Sequence, residues 1–146
     1  MKRLIITFAL LMGIFSTSQA FAGQSSAAVV RAVNQIRVAH GLRKLQLHAG
    51  LQKAAKEQSV LMARKQKMAH TVGFGHSFTS RLKRVGYRGL AAENIARGQK
   101  TLKRVLSGWM NSPGHRRNIL HPRMRYFGLS AAKSGGRNYW AMVLGG

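Results

Sequence analysis

Apolar positions recur along most of this chain at helical spacing and switch to alternation only near its end. Val29, Val33 and Ile36 share one face of a segment that starts at Ser25 or Ser26 and stops at Gly41. This predicts a helix to about His40, capped by a serine hydroxyl. A loop through Leu45 and Leu47 leads to a second helix over about Leu51–Lys67. Leu51, Ala54, Ala55, Gln58, Leu61 and Met62 keep the period, and Arg64, Lys65 and Lys67 sit at its negative pole. Gly73-Phe74-Gly75 reads as a loop. Phe78, Leu82 and Val85 predict a short third helix with Gly86 as its stop. Ala91–Ala96 reads as a short buried strand. Thr101 caps a fourth helix carrying Leu102, Val105, Leu106 and Trp109, and Pro113-Gly114 breaks it. Tyr126–Ala132 and Arg137–Leu144 read as two strands joined by a turn at Ser134-Gly135-Gly136. Helices early and a hairpin late predict an α+β domain, with helices packed on a small antiparallel sheet.

The chain opens on a different pattern. Lys2 and Arg3 precede an apolar run from Leu4 to Phe15, and Ala20-Phe21-Ala22 supplies a small-x-small cleavage site before Gly23. The run is about 12 residues, short of the ~20 that span a bilayer as a helix. We therefore expect a signal peptide at 1–22, with a cut after Ala20 as the alternative, and one folded domain at 23–146. The product would be exported, to the periplasm or the medium, and the simple leader suggests a bacterial source. There is no cysteine, so the fold relies on its core, and thiolate metal sites and cysteine nucleophiles are excluded.

Charge narrows the chemistry further. The chain has 25 Lys plus Arg against 2 acidic residues, a formal charge of +23. Such an imbalance attracts polyanions: anionic lipid, lipopolysaccharide, teichoic acid or nucleic acid. The basic residues are spread over nearly every element rather than gathered into an aromatic-interleaved stripe, so nucleic acid would be bound only non-specifically. The acids are Glu57 and Glu93, with no Asp. This removes Ser-His-Asp triads, aspartic dyads and carboxylate cages for calcium or magnesium. Gly73-Phe74-Gly75 fails as a dinucleotide loop because Phe78 stands at the third glycine position. A glycosidase would need Glu57 and Glu93 to converge, and Glu57 belongs to an amphipathic helix.

Three polar residues in apolar or tightly turned surroundings remain: His70, Glu93 and His115. Two imidazoles and a carboxylate could ligate a transition metal with a position open to water. They could act as base and orienting acid in hydrolysis. They could also be architectural, tying the Asn94 segment to the Pro113-Gly114 turn by hydrogen bonds. His40, His48, His76 and His121 sit at caps, in loops or beside proline and read as structural.

Taken together, the residues resemble the CAP superfamily (cysteine-rich secretory protein, antigen 5 and pathogenesis-related 1), in its bacterial, disulfide-free SCP-like branch. The resemblance runs from Asn34, Arg37, Gly41-Leu42 and Leu45 through Met68, His70, Arg81 and Gly86-Tyr87. Its most specific parts are Ala92-Glu93-Asn94-Ile95-Ala96, Trp109-Met110, Ser112-Pro113-Gly114-His115-Arg116, Asn118-Ile119-Leu120 and Tyr139-Trp140. The resemblance implies a three-layer α-β-α sandwich with a small antiparallel sheet. It also implies a cleft formed by His70, Glu93 and His115, in which His70 and His115 could hold a divalent metal such as zinc. The family's second cleft glutamate would fall in Met110-Asn111-Ser112, where this chain has no acid. The family spans lipid or sterol binding, signalling, defence and occasional proteolysis, without a common reaction. The expectation is a secreted or periplasmic binding module rather than a conventional enzyme. Its cleft would hold a divalent metal or a small or lipid ligand, and its surface would be drawn to anionic envelope components or lipid headgroups. The alternative is a metal-assisted hydrolase in which Glu93 positions or deprotonates a water.

Overall fold

The computed structural model describes residues 26–146. The expected leader at 1–22 and its cleavage site lie outside the described residues. Helix α1 spans Ser26–Ala39, α2 Ala49–Lys65, α3 Phe78–Arg84, α4 Leu102–Met110 and α5 Pro113–Ile119. Strand β1 is Gln46–Leu47, β2 Ala91–Arg97, β3 Tyr126–Ser134 and β4 Arg137–Gly145. The strands form one sheet in the order β1-β3-β4-β2. β4 pairs antiparallel with both β2 and β3, whereas β1 runs parallel to β3. The two-residue β1 is the departure from an all-antiparallel sheet, in the stretch that reads as loop from sequence.

Alternation in β4 builds the layers. Tyr139, Ala141 and Val143 face one way and pack with Leu51, Ala54, Ala55 and Met62 of α2. Trp140, Met142 and Leu144 face the other way and pack with Val29 and Val33 of α1, Val105 and Trp109 of α4, and Ile119 of α5. A strand apolar on both faces must be covered on both faces, so the sheet is sandwiched between α2 with α3 and α1 with α4 and α5. The approach of α2 is very close. A Cβ built on Gly128 of β3 would lie 2.3 Å from Gln52 N and Leu51 C, so only glycine admits the α2 backbone there.

Local signals explain the helix ends. Thr101 accepts from Arg104 N at 3.2 Å as the α4 cap. His48, rather than a Ser or Asp, caps α2, its Nδ1 accepting from Gly50 N and Leu51 N. Pro113 corrects the expectation of a simple break. It occupies the first turn of α5, where its missing N–H costs nothing and its fixed φ suits a helix start. Arg37 is fully buried in α1 with no carboxylate beside it. Its guanidinium donates to Arg43 O, Ile119 O and His121 O, tying α1 to the end of α5. Burial, followed by Arg125 and Arg43 nearby, holds its pKa below the usual arginine value.

Candidate functional site

The site is organised by two consecutive residues of β2, a strand at the edge of the sheet. Side chains of successive strand residues point to opposite faces. Glu93 accordingly reaches toward the α2–α3 side and Asn94 toward α5, and each takes hold of one histidine-bearing segment. Glu93 Oε1 accepts from His70 Nδ1 at 2.9 Å. Asn94 Nδ2 donates to the carbonyl of His115 at 3.0 Å, while its Oδ1 accepts from Asn118 Nδ2 at 2.8 Å. His70 and His115 are thus drawn to the same place from the two faces of the sheet. They line a cleft of about 310 Å³ with Glu93, Ser112, Gly114, Arg117 and Asn118.

Glu93 is not free to act as a base. Its carboxylate is almost fully buried, with the side chain 2 % exposed, and Oε2 accepts from Nη2 of the fully buried Arg81 at 2.5 Å. Arg81 Nη1 also donates to the carbonyls of His70 and His76, at 3.1 and 2.5 Å. The guanidinium therefore neutralises Glu93 and fixes the backbone that carries His70. Its Cζ lies 5.8 Å from the Phe78 ring centroid, within cation–π range. With one oxygen on Arg81 and the other on His70, Glu93 acts as an orienting group. A carboxylate only accepts, so His70 carries its proton on Nδ1 and in the neutral ring directs the Nε2 lone pair outward.

His115 is held by different means. Ser112 occupies the N-cap position of α5 but makes no capping bond; its hydroxyl lies 2.9 Å from His115 Nδ1 instead. Burial, then the proximity of His70, lowers the His115 pKa from its ordinary 6.5, so this ring is neutral at neutral pH. Among the described residues, no protein group hydrogen-bonds Nε2 of either histidine. The chemistry of the donor set is that of two neutral imidazoles, each of which could offer Nε2 to a divalent cation with water completing the shell. It does not amount to a three-ligand centre, and among the described residues no cluster of three His, Cys, Asp or Glu could hold a metal.

The three residues singled out from sequence come together here. Glu57 does not join them. It pairs with His76 at 2.9 Å and with Arg84 of α3, so each carboxylate in the chain is engaged by one histidine and one α3 arginine. Arg81, Ser112, Arg117 and Asn118 are the participants that sequence reasoning left without a role. Arg81 had one available signal: an acid within an apolar strand requires a buried counter-charge. The cleft is polar. An apolar hollow of about 600 Å³ lies elsewhere, between α1 and α4, lined by Ala32, Ile36, Leu102, Leu106 and Met110 among others.

A three-layer sandwich with two histidines held at a sheet edge by a Glu-Asn pair defines a secretory-protein-like domain rather than a dinucleotide or nucleic-acid fold. The model of the cysteine-rich secretory protein family (CAP) matches residues 30–144, and the chain belongs to that family. It is 40% identical over 110 residues to the YkwD protein of Bacillus subtilis, covering 73% of this chain and 42% of that relative. The chain thus spans less than half of the curated relative's length. A crystal structure of an extracellular SCP-domain protein from Bacillus anthracis superposes with a TM-score of 0.74 at 25% identity, over 82% of this chain and 39% of that one. An outer surface protein of Borrelia burgdorferi gives a TM-score of 0.72 at 24% identity, over 82% of this chain and 90% of its own.

Proposed function

We propose that this chain is an exported binding module. Its cleft offers His70 Nε2 and His115 Nε2 to a small polar ligand or a divalent cation, and its cationic surface is drawn to anionic envelope components. The observation that carries the binding reading is the engagement of both Glu93 oxygens. A hydrolase needs a general base within reach of the proton it removes, and here the one cleft carboxylate orients an imidazole and neutralises an arginine. The alternative, a metal-assisted hydrolase, would require Glu93 to leave Arg81. A bound zinc ion would supply Lewis-acid polarisation of a ligand. The residues' own work is to present two lone pairs in fixed directions, the His70 ring set by Glu93 and the His115 ring by Ser112. The leader pattern and the extracellular and outer-surface neighbours support export. No helix among the described residues is long and apolar enough to cross a membrane.

The test is a titration of the purified domain with zinc chloride, followed by calorimetry and by histidine Hε1 resonances. The expected result is one weak site that broadens His70 and His115 together and disappears in both His70→Ala and His115→Ala. Zinc binding unchanged in the double variant would remove the cleft from the reading. Binding to vesicles of phosphatidylglycerol should weaken steeply as salt rises; salt-insensitive binding would remove its electrostatic part.

A further inference from the structure

We propose that the Gly73-Phe74-Gly75 tip is a membrane-docking wedge, with Phe74 entering the headgroup–acyl boundary of an anionic bilayer. This rests on the reading that the cationic surface is drawn to anionic envelope lipid, and it names the element that makes apolar contact.

Phe74 is 104 % exposed, whereas every other large exposed hydrophobic among the described residues lies between 37 % and 52 %. Its exposure is enforced by its neighbours. Val72, two residues earlier, is buried at 3 % and packs in the core under α2. The chain then turns through Gly73 and Gly75 at φ 88° and 74°, left-handed backbone that glycine adopts freely. On the far side the turn is pinned by Arg84 Nη1 to Gly75 O at 2.9 Å and Arg81 Nη1 to His76 O at 2.5 Å. The tip is therefore a braced backbone projection that holds the aromatic ring out in water.

The charges around it suit anionic lipid. Lys65 at the end of α2 and Lys67 just past it precede the loop, and Lys83 follows it in the last turn of α3, all of them exposed; Arg84 beside Lys83 is exposed as well but paired with Glu57. The one acid beside the loop, Glu57, is engaged by His76 and Arg84, so no free carboxylate opposes approach to phosphate headgroups. An exposed aromatic ring on a loop flanked in sequence by basic residues is the pairing that seats a protein at a membrane interface.

The experiment measures co-sedimentation of the whole domain with phosphatidylglycerol-containing vesicles for wild type, F74A and F74W. Burial of a phenylalanine ring corresponds to about a tenfold change in partitioning, so F74A should bind about tenfold more weakly with an unchanged urea midpoint. F74W should retain binding. Its emission should shift to the blue on anionic vesicles and be quenched by lipids brominated near the headgroup, since native Trp109 and Trp140 are buried at 2 %. If F74A binds like wild type while salt still releases both, the wedge is wrong and the electrostatic reading stands. If wild type fails to bind at low salt, both fall together. Loss of lipid-free self-association in F74A, seen by sedimentation velocity, would make Phe74 a contact between copies and overturn the proposal.

Discussion

The Arg81–Glu93 pair gives the sharpest test of how the site is built. Arg81→Met keeps the apolar stem but strands a carboxylate whose side chain is 2 % exposed. Breaking a buried pair from one side costs about 3–5 kcal/mol. The carbonyls of His70 and His76 lose a donor as well, which adds about 1–2 kcal/mol for the two bonds. A total of about 4–7 kcal/mol approaches the whole stability of a domain this size. With a urea m-value of about 2 kcal/mol/M, the midpoint should fall by about 2–3.5 M. Glu93→Gln should cost less, because the amide oxygen still accepts from Arg81, its NH2 can donate to His70 Nδ1 once that ring moves its proton to Nε2, and Arg81 keeps the carbonyls of His70 and His76. The decisive variant is the double one, Arg81→Met with Glu93→Gln, in which no unpaired charge remains buried. It should recover at least about 2 kcal/mol relative to the sum of the single changes. Urea unfolding at neutral pH, followed by circular dichroism, measures all three. A loss of less than about 1 kcal/mol in Arg81→Met, or strict additivity in the double variant, would refute the pair as the keystone of the cleft.

Three further outcomes follow from the same contacts. Burial pushes the Glu57 carboxyl upward, but hydrogen bonds from Arg84 and His76 and their charges outweigh it and hold the pKa below its ordinary 4.5. Its contribution to stability is therefore present above about pH 4.5 and lost as pH falls through the lower folded value, so Glu57→Gln should flatten that part of a urea-midpoint series. Parallel slopes for the two proteins would count against the pairing. The His115 ring, lowered first by burial and then by His70, should titrate below 6.5 by NMR and move upward in His70→Ala; an unmoved midpoint would mean the two rings do not sense each other. Because the unfolded chain takes that proton first on acidification, His115 also subtracts stability below about pH 6.5. Gly128→Ala would place a methyl 2.3 Å from the α2 backbone and should cost about 1–3 kcal/mol or more by overpacking, whereas a variant as stable as wild type would show that α2 can shift outward freely.

The fold was legible where local signals and periodicity agreed. Val29 and Val33, the Thr101 cap and the alternating terminal strands are each decided by neighbours within a turn or a pleat. The parts that were not legible depend on distant partners. β1 is two residues long and exists because β3 lies beside it. Pro113-Gly114 carries a stop signal and a start signal at once, and the packing of Ile119 into the core and the return of Asn118 to Asn94, both contacts with distant partners, favour the start. In the site, the scarcity of acids drew attention to Glu93, and motif resemblance to the two histidines. The arginine that neutralises Glu93 comes from a separate helix, with no fixed spacing to reveal it, and so Glu93 looks like a candidate base in sequence and an orienting group in the structure.

The indole of Trp109 donates to Ile95 O on the outer side of β2, at 3.2 Å, and Asn94 fastens α5 alongside. Trp109, next to the wall of the cleft, is thus a cover on a strand that could otherwise recruit another chain. At the opposite margin β1 covers only Tyr126 and Phe127 of β3, and the Gln52 side chain takes both backbone groups of Leu129 beyond it. Any variant that moves α4 and Trp109 away from β2 will uncover a ready template for intermolecular pairing. Such variants should form thioflavin-positive aggregates sooner than their melting temperatures would suggest, which ties the permissible breathing of this helix to solubility.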